Sequence, residues 1–150
     1  MLADLKRKSR SKNTRQNLVI VRLAACCGLR VSEIVGLSLA NVRLSGARPH
    51  VYVPKAIAKR GVARRVPLWW DAVTLADLAA WKAEREAMDA RPSDPFVCSL
   101  AAGKHSGTGN ATLGKPLSVR NAQARFKASI KCLGPERVDV LSIHCGRHSF

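Results

Sequence analysis

The chain is 150 residues long, carries 26 Lys and Arg against 10 Asp and Glu (formal net charge +16, pI near 10.7), and is 47% apolar. Length and apolar content predict one domain with its own core and exclude a disordered polyelectrolyte. The charge points to a polyanionic partner, nucleic acid ahead of a membrane surface, because no apolar run is long enough to span a bilayer and the N-terminus lacks a signal-peptide core.

Residues 1–16 are polar and basic, with Lys6, Arg7, Lys8, Arg10, Lys12 and Arg15 against Asp4 alone. They read as a frayed, solvated tail, or as an arm along a nucleic-acid backbone that adds salt-dependent affinity. A helix is expected over about 14–27. Asn13 or Thr14 can cap it, Leu18, Val21 and Ala25 recur at helical spacing, and Gly28 can end it. A short second helix follows with Ile34 and Leu37 inward. The period then changes. Residues 42–44, 51–53 and 64–68 read as strands of a small antiparallel sheet, with Gly46 and Gly61 in the turns. The second turn carries Lys55, Lys59, Arg60, Arg64 and Arg65, a basic hairpin tip suited to solvent or to a DNA phosphate or groove.

Asp71 can cap a long helix over about 72–90, with Val73, Leu78, Trp81 and Met88 on or near a core stripe. The sequence Arg91-Pro92-Ser93-Asp94-Pro95 stops it. Phe96, Val97 and Cys98 form a short buried strand or the start of a loop. Residues 99–117 are Gly-rich. Within them, Gly109 to Lys115 has the outline of a phosphate-binding P-loop. Pro116 stands where that motif needs Ser or Thr, no strand leads in and no helix directly follows, so a surface loop is the better reading. Ser118 caps a last clear helix, with Val119, Ala122, Phe126 and Ile130 inward and Arg120, Arg125, Lys127 and Lys131 over the rest. Gly134 and Pro135 end it.

The five cysteines, Cys26, Cys27, Cys98, Cys132 and Cys145, are odd in number and lack scaffold spacing, which predicts reduced thiols in a cytoplasmic protein. Cys26 and Cys27 read as small core residues at a helix end. His50 and His105 read as surface or loop histidines. His144, Cys145 and His148 are too closely spaced and too few for a zinc site, and no metal is expected.

The chemistry-bearing residues cluster in two places. In Cys27-Gly28-Leu29-Arg30-Val31-Ser32-Glu33, Arg30 and Glu33 are three apart and share a helix face. Arg30 at a helix N-terminus is a phosphate-holding corner, or one half of a structural ion pair. At the far end, His144 and Arg147 are also three apart. Together with Arg30 they form two arginines and a histidine able to surround one phosphate, holding its charge and moving a proton without metal.

The segment Gly28-Leu29-Arg30-Val31-Ser32-Glu33, the basic hairpin ending in Arg65-Val66-Pro67-Leu68, and His144-x-x-Arg147-His148-Ser149-Phe150 resemble, in order and spacing, the catalytic domain of the tyrosine recombinases, also called phage integrases. The resemblance covers residues 14–150 and implies a mainly helical α+β fold with a three-stranded antiparallel sheet, after a basic tail or linker over 1–13. It also implies roles. Arg30 and Arg147 clamp the scissile phosphate, and His144 assists proton movement and holds the phosphate. Glu33 supports Arg30 from behind. Lys59 is the hairpin lysine that protonates the leaving 5′ oxygen, with Lys55 the weaker candidate. Lys55, Arg60, Arg64 and Arg65 lie on DNA. A tyrosine forms a 3′-phosphotyrosine link, which stores the bond energy, so no cofactor is expected. The expected partner is double-stranded DNA, with copies assembling on it in the full-length protein.

The chain departs from the family pattern at its end. The family's nucleophile lies well beyond the second arginine, and here the sequence stops three residues past Arg147. The chain's one tyrosine, Tyr52, falls in the predicted sheet. The expectation is a recombinase catalytic domain cut short and unable to cleave alone. The alternative is a DNA-binding integrase remnant without chemistry. A type IB topoisomerase, with similar chemistry, is a third option.

Overall fold

The computed structural model describes residues 2–8, 10–101 and 112–131. The expected turn at Gly134-Pro135, the segment with His144, Arg147 and His148, and His105, Cys132 and Cys145 lie outside these residues. Among the described residues, five α-helices and one sheet follow in the order α1 (Leu2–Lys8), α2 (Lys12–Val21), α3 (Val31–Gly36), β1 (Val42–Arg43), β2 (His50–Val53), β3 (Arg64–Pro67), α4 (Ala72–Ala87) and α5 (Val119–Ile130).

The N-terminal region is more ordered than its charge suggested. Residues 2–8 are helical, and Leu2 and Leu5 pack against the core. Lys6 Nζ reaches Asp77 Oδ1 at 2.8 Å. The next helix also starts earlier than expected. Ser11, not Asn13 or Thr14, is its cap: Ser11 Oγ accepts from Thr14 N at 3.3 Å, and Thr14 Oγ1 accepts from Ser11 N at 3.1 Å. Apolar periodicity sees only where a helix becomes buried, whereas a reciprocal cap works in full solvent.

Past Val21 the helix widens into a π-turn over Arg22–Cys26, where Cys27 N donates to Arg22 O at 3.1 Å. Gly28 then takes φ +64, the left-handed step that lets the chain leave the helix and turn into α3. The core is concentrated here. Ile20, Val21, Leu23, Ala24, Leu29, Ile34 and Leu37 are all at most 1% exposed. Inside it sits a polar knot absent from the apolar reading. Arg22 Nε and Nη2 reach Asp77 Oδ2 at 3.0 and 2.9 Å, and Arg22 Nη1 donates to Thr74 Oγ1 at 3.3 Å. A buried charge needs this pairing to be tolerated.

The three strands pair in sequence order and antiparallel, with Val42 opposite Val51, Val51 opposite Val66 and Val53 opposite Arg64. Alternation sends Val51 and Val53 into the core. Tyr52 faces the other way, with the Arg43 guanidinium 5.2 Å from its ring centre. The turns at Gly46 and Gly61 fall where the sequence put them.

Asp71 caps α4 as expected, accepting from Thr74 N at 2.9 Å. The buried stripe of α4 is Thr74, Asp77, Leu78, Trp81 and Arg85. Val73 is not on it and is 51% exposed, beside exposed Trp69 and Trp70. An apolar-only pattern chose Val73 because the true stripe mixes polar residues whose partners are distant in sequence. Val119 is likewise exposed, in the first turn of α5. Phe96, Val97 and Cys98 are fully buried and bridge two segments: Phe96 N donates to Leu37 O, and Cys98 pairs with Pro116. Among the described residues no helix is long and apolar enough to cross a membrane.

Candidate functional site

Arg30 has extended dihedrals (φ −76, ψ 153) and stands immediately before α3. Its backbone N–H donates to Glu33 Oε2 at 2.9 Å, so the glutamate three residues on closes the first turn back on the arginine. The side chain of Glu33 is fully buried. Its main charged partner is not Arg30, whose Nη1 is 3.7 Å from Oε1, but Arg64 on β3. Arg64 Nη1 and Nη2 meet Oε1 and Oε2 at 2.8 Å each, a two-pronged grip.

Burial alone pushes the Glu33 carboxyl up. The hydrogen bonds from Arg64, the Arg30 N–H, the Arg64 charge and a backbone hydrogen bond from Lys59 outweigh it, and hold the group below the usual carboxylate range. The bond to Glu33 in turn raises Arg64 against its own burial. Glu33 thus ties together the start of α3, the first residue of β3 and the hairpin loop at Lys59.

The hairpin also leans directly on α3. A Cβ on Gly36 would lie 2.8 Å from Ile57 Cγ2, so the absence of a side chain at Gly36 lets the loop dock there. Between loop and helix lies an open cleft of about 410 Å³, lined by Arg30, Ala58, Lys59, Arg60, Val62 and Arg64. The Glu33 carboxylate beneath it is already held by Arg64. Among the described residues, Arg30 and Lys59 donate no side-chain hydrogen bond, and Lys59 and Arg60 are exposed. With its acid held by Arg64, a recess edged by the Arg30 guanidinium and the Lys59 ammonium can take up an anion, and the bidentate fork of Arg30 suits phosphate.

The cleft therefore brings together Arg30, Lys59, Arg60 and Arg64, with Glu33 beneath. Lys55 and Arg65 are exposed on the same hairpin but do not line it. His144 and Arg147 lie outside the described residues. The sequence reading missed the partnership of Glu33 with Arg64. Its signal was strand parity: Arg64 lies opposite buried Val53 and on the inward side of β3 with Val66, while Arg65 and Pro67 face out. An arginine on that side needs an acid.

The fold is a small α+β domain in which a basic hairpin closes a cleft against an arginine-led helix. The pattern of the phage integrase family matches residues 2–150, and the chain belongs to that family. At the family level it is a tyrosine recombinase, and DNA is the partner the family implies. Among curated proteins, none matches the chain.

Proposed function

We propose that this chain is the phosphate-gripping catalytic domain of a site-specific DNA recombinase. Arg30 and Arg147 clamp the scissile phosphate of a duplex, His144 holds it and assists proton movement, and Lys59 protonates the leaving 5′ oxygen. Arg60, Lys55 and Arg65 steer the flanking backbone through charge. The observation that carries this reading is that Arg30 and Lys59, 29 positions apart, line one cleft. That placement also favours Lys59 over Lys55 for the proton.

The clamp neutralises the equatorial oxygens as the phosphorus becomes five-coordinate. A lysine in the cleft is the acid that spares the departing strand a full alkoxide charge. The strand is displaced by a tyrosine hydroxyl, leaving a 3′-phosphotyrosine link and a free 5′ hydroxyl. A second strand's 5′ hydroxyl then reverses the step, and the tyrosine leaves.

The nucleophile is not Tyr52. That residue lies within the sheet, its ring under Arg43. These 150 residues then hold DNA without cutting it. A nicked suicide substrate, resolved on a denaturing protein gel, tests this: no covalent protein–DNA band is expected. A band from this chain overturns it. The position of Tyr52 equally supports a second reading, a DNA-binding integrase remnant without chemistry. The DNA downstream of codon 150 separates the two: a continuing frame that supplies a tyrosine supports the catalytic domain, and an immediate stop supports the remnant. Assembly of copies on DNA belongs to the same proposal and is read from the mass of the protein–DNA complex.

A further inference from the structure

Arg64 looks at first like one more cation of the hairpin. Its geometry says otherwise. Both of its terminal nitrogens are committed to Glu33 at 2.8 Å, whereas Arg65 beside it is exposed. A carboxylate offers about four acceptor positions. Here two go to Arg64 and one to the Arg30 backbone N–H. Three of the four are filled without the Arg30 side chain, whose Nη1 stands off at 3.7 Å from Oε1.

We propose that Arg64 is a positioning residue of the cleft: by holding Glu33 it keeps the Arg30 guanidinium at a long 3.7 Å contact, open to phosphate, and the Lys59 loop docked. The inference rests on the reading of the cleft as a phosphate site. Glu33 is buried and cannot go uncompensated. Take Arg64 away, and the nearest cation is Arg30, with Nη1 already 3.7 Å from Oε1. A small swing shortens this long ion pair to a close one and draws the phosphate ligand inward. Arg64 therefore acts on phosphate through Arg30 and not by touching DNA.

The test is a cycle of Arg64→Gln, Glu33→Gln and the double substitution, with duplex-DNA affinity measured across a salt series. Arg64→Gln should weaken binding by about tenfold, the size of coupling expected between charged neighbours. It should also lower the salt slope by about 0.9, one phosphate contact, as Arg30 turns inward. The double substitution removes the acid as well and should return affinity to within about twofold of wild type. If Arg64 instead contacts DNA, the double substitution stays as weak as Arg64→Gln, and the proposal fails. It fails too if Arg64→Gln binds like wild type.

Should Arg64→Gln not fold by circular dichroism, the double substitution, which removes both charges of this pair, is compared with wild type directly. Near-equal affinity supports positioning, and a weakened complex overturns it. A readout without DNA keeps this inference apart from the wider one. In the free protein, the guanidinium N–H signals of Arg64 should be protected from exchange and those of Arg30 should not. In Arg64→Gln, the Arg30 signals should become protected. Unchanged Arg30 signals contradict positioning even if DNA binds; a wild-type chain that binds no duplex contradicts the phosphate reading while leaving the exchange result to stand.

Discussion

Gln16 and Cys98 are joined in both directions across 82 positions of sequence: Gln16 Nε2 donates to Cys98 O at 2.9 Å, and Cys98 N donates to Gln16 Oε1 at 2.8 Å. Gln16 is fully buried, so its amide serves as a piece of strand for a segment that has only single bridges elsewhere. Replacing it with Ala leaves a donor and an acceptor unpaired in the interior, each costing about 1–3 kcal/mol. Gln16→Ala should lose about 2–6 kcal/mol in urea unfolding, with an unchanged slope. A loss below 1 kcal/mol means water reaches Cys98.

Glu33 should make the fold acid-sensitive. Its folded pKa lies below the ordinary 4.5, so its stabilisation is present above that value and is lost as pH falls through the folded value. Thermal melts from pH 6 down to pH 3 should fall more steeply for wild type than for Glu33→Gln. Parallel slopes would show that the carboxylate is not held by Arg64 in solution.

Cys27 gives the opposite limb. Burial above all, then the neighbouring Cys26 and Asp71, push its thiol from an ordinary 9.0 up to about 12, with Arg22 opposing. Between those values the unfolded chain ionises and the folded one does not, so stability falls as pH rises. From pH 8 to pH 10, wild type should lose about 1.4 kcal/mol more than Cys27→Ala. Alkylation mapped by mass spectrometry at pH 8 should modify half-buried Cys26 before Cys27.

Gly36 should matter to the hairpin more than to α3. A methyl group there meets Ile57 Cγ2 at 2.8 Å, and overpacking of this kind costs about 1–3 kcal/mol. Gly36→Ala should push the loop outward and weaken DNA binding through Lys59. Adding Ile57→Ala should recover part of the affinity. If Gly36→Ala binds like wild type, the loop is not positioned by this contact.

Much of this molecule is legible in its residues. The three strands, the caps at Asp71 and Ser118, the turn at Gly28 and the Arg30–Glu33 spacing all announce themselves, because each depends on local chemistry. What stayed hidden depends on distance. Asp77 and Arg22, Gln16 and Cys98, and Glu33 and Arg64 are polar pairs buried by neighbours 31 to 82 positions away. A helix stripe containing Thr74, Asp77 and Arg85 reads as polar until its partners are known. The helix at Leu2–Lys8 was masked in the same way, by charges that outnumber the two leucines that dock it.

The most direct measurement is duplex-DNA affinity of the wild-type chain and of Arg30→Ala plus Arg147→Ala across a salt series. Wild type should bind, and the double variant should bind more weakly with a salt slope shallower by about 1.8, two phosphate contacts. Equal affinities and equal slopes would contradict this, assigning the binding to the general charge of the N-terminal region and hairpin and leaving the cleft without a role.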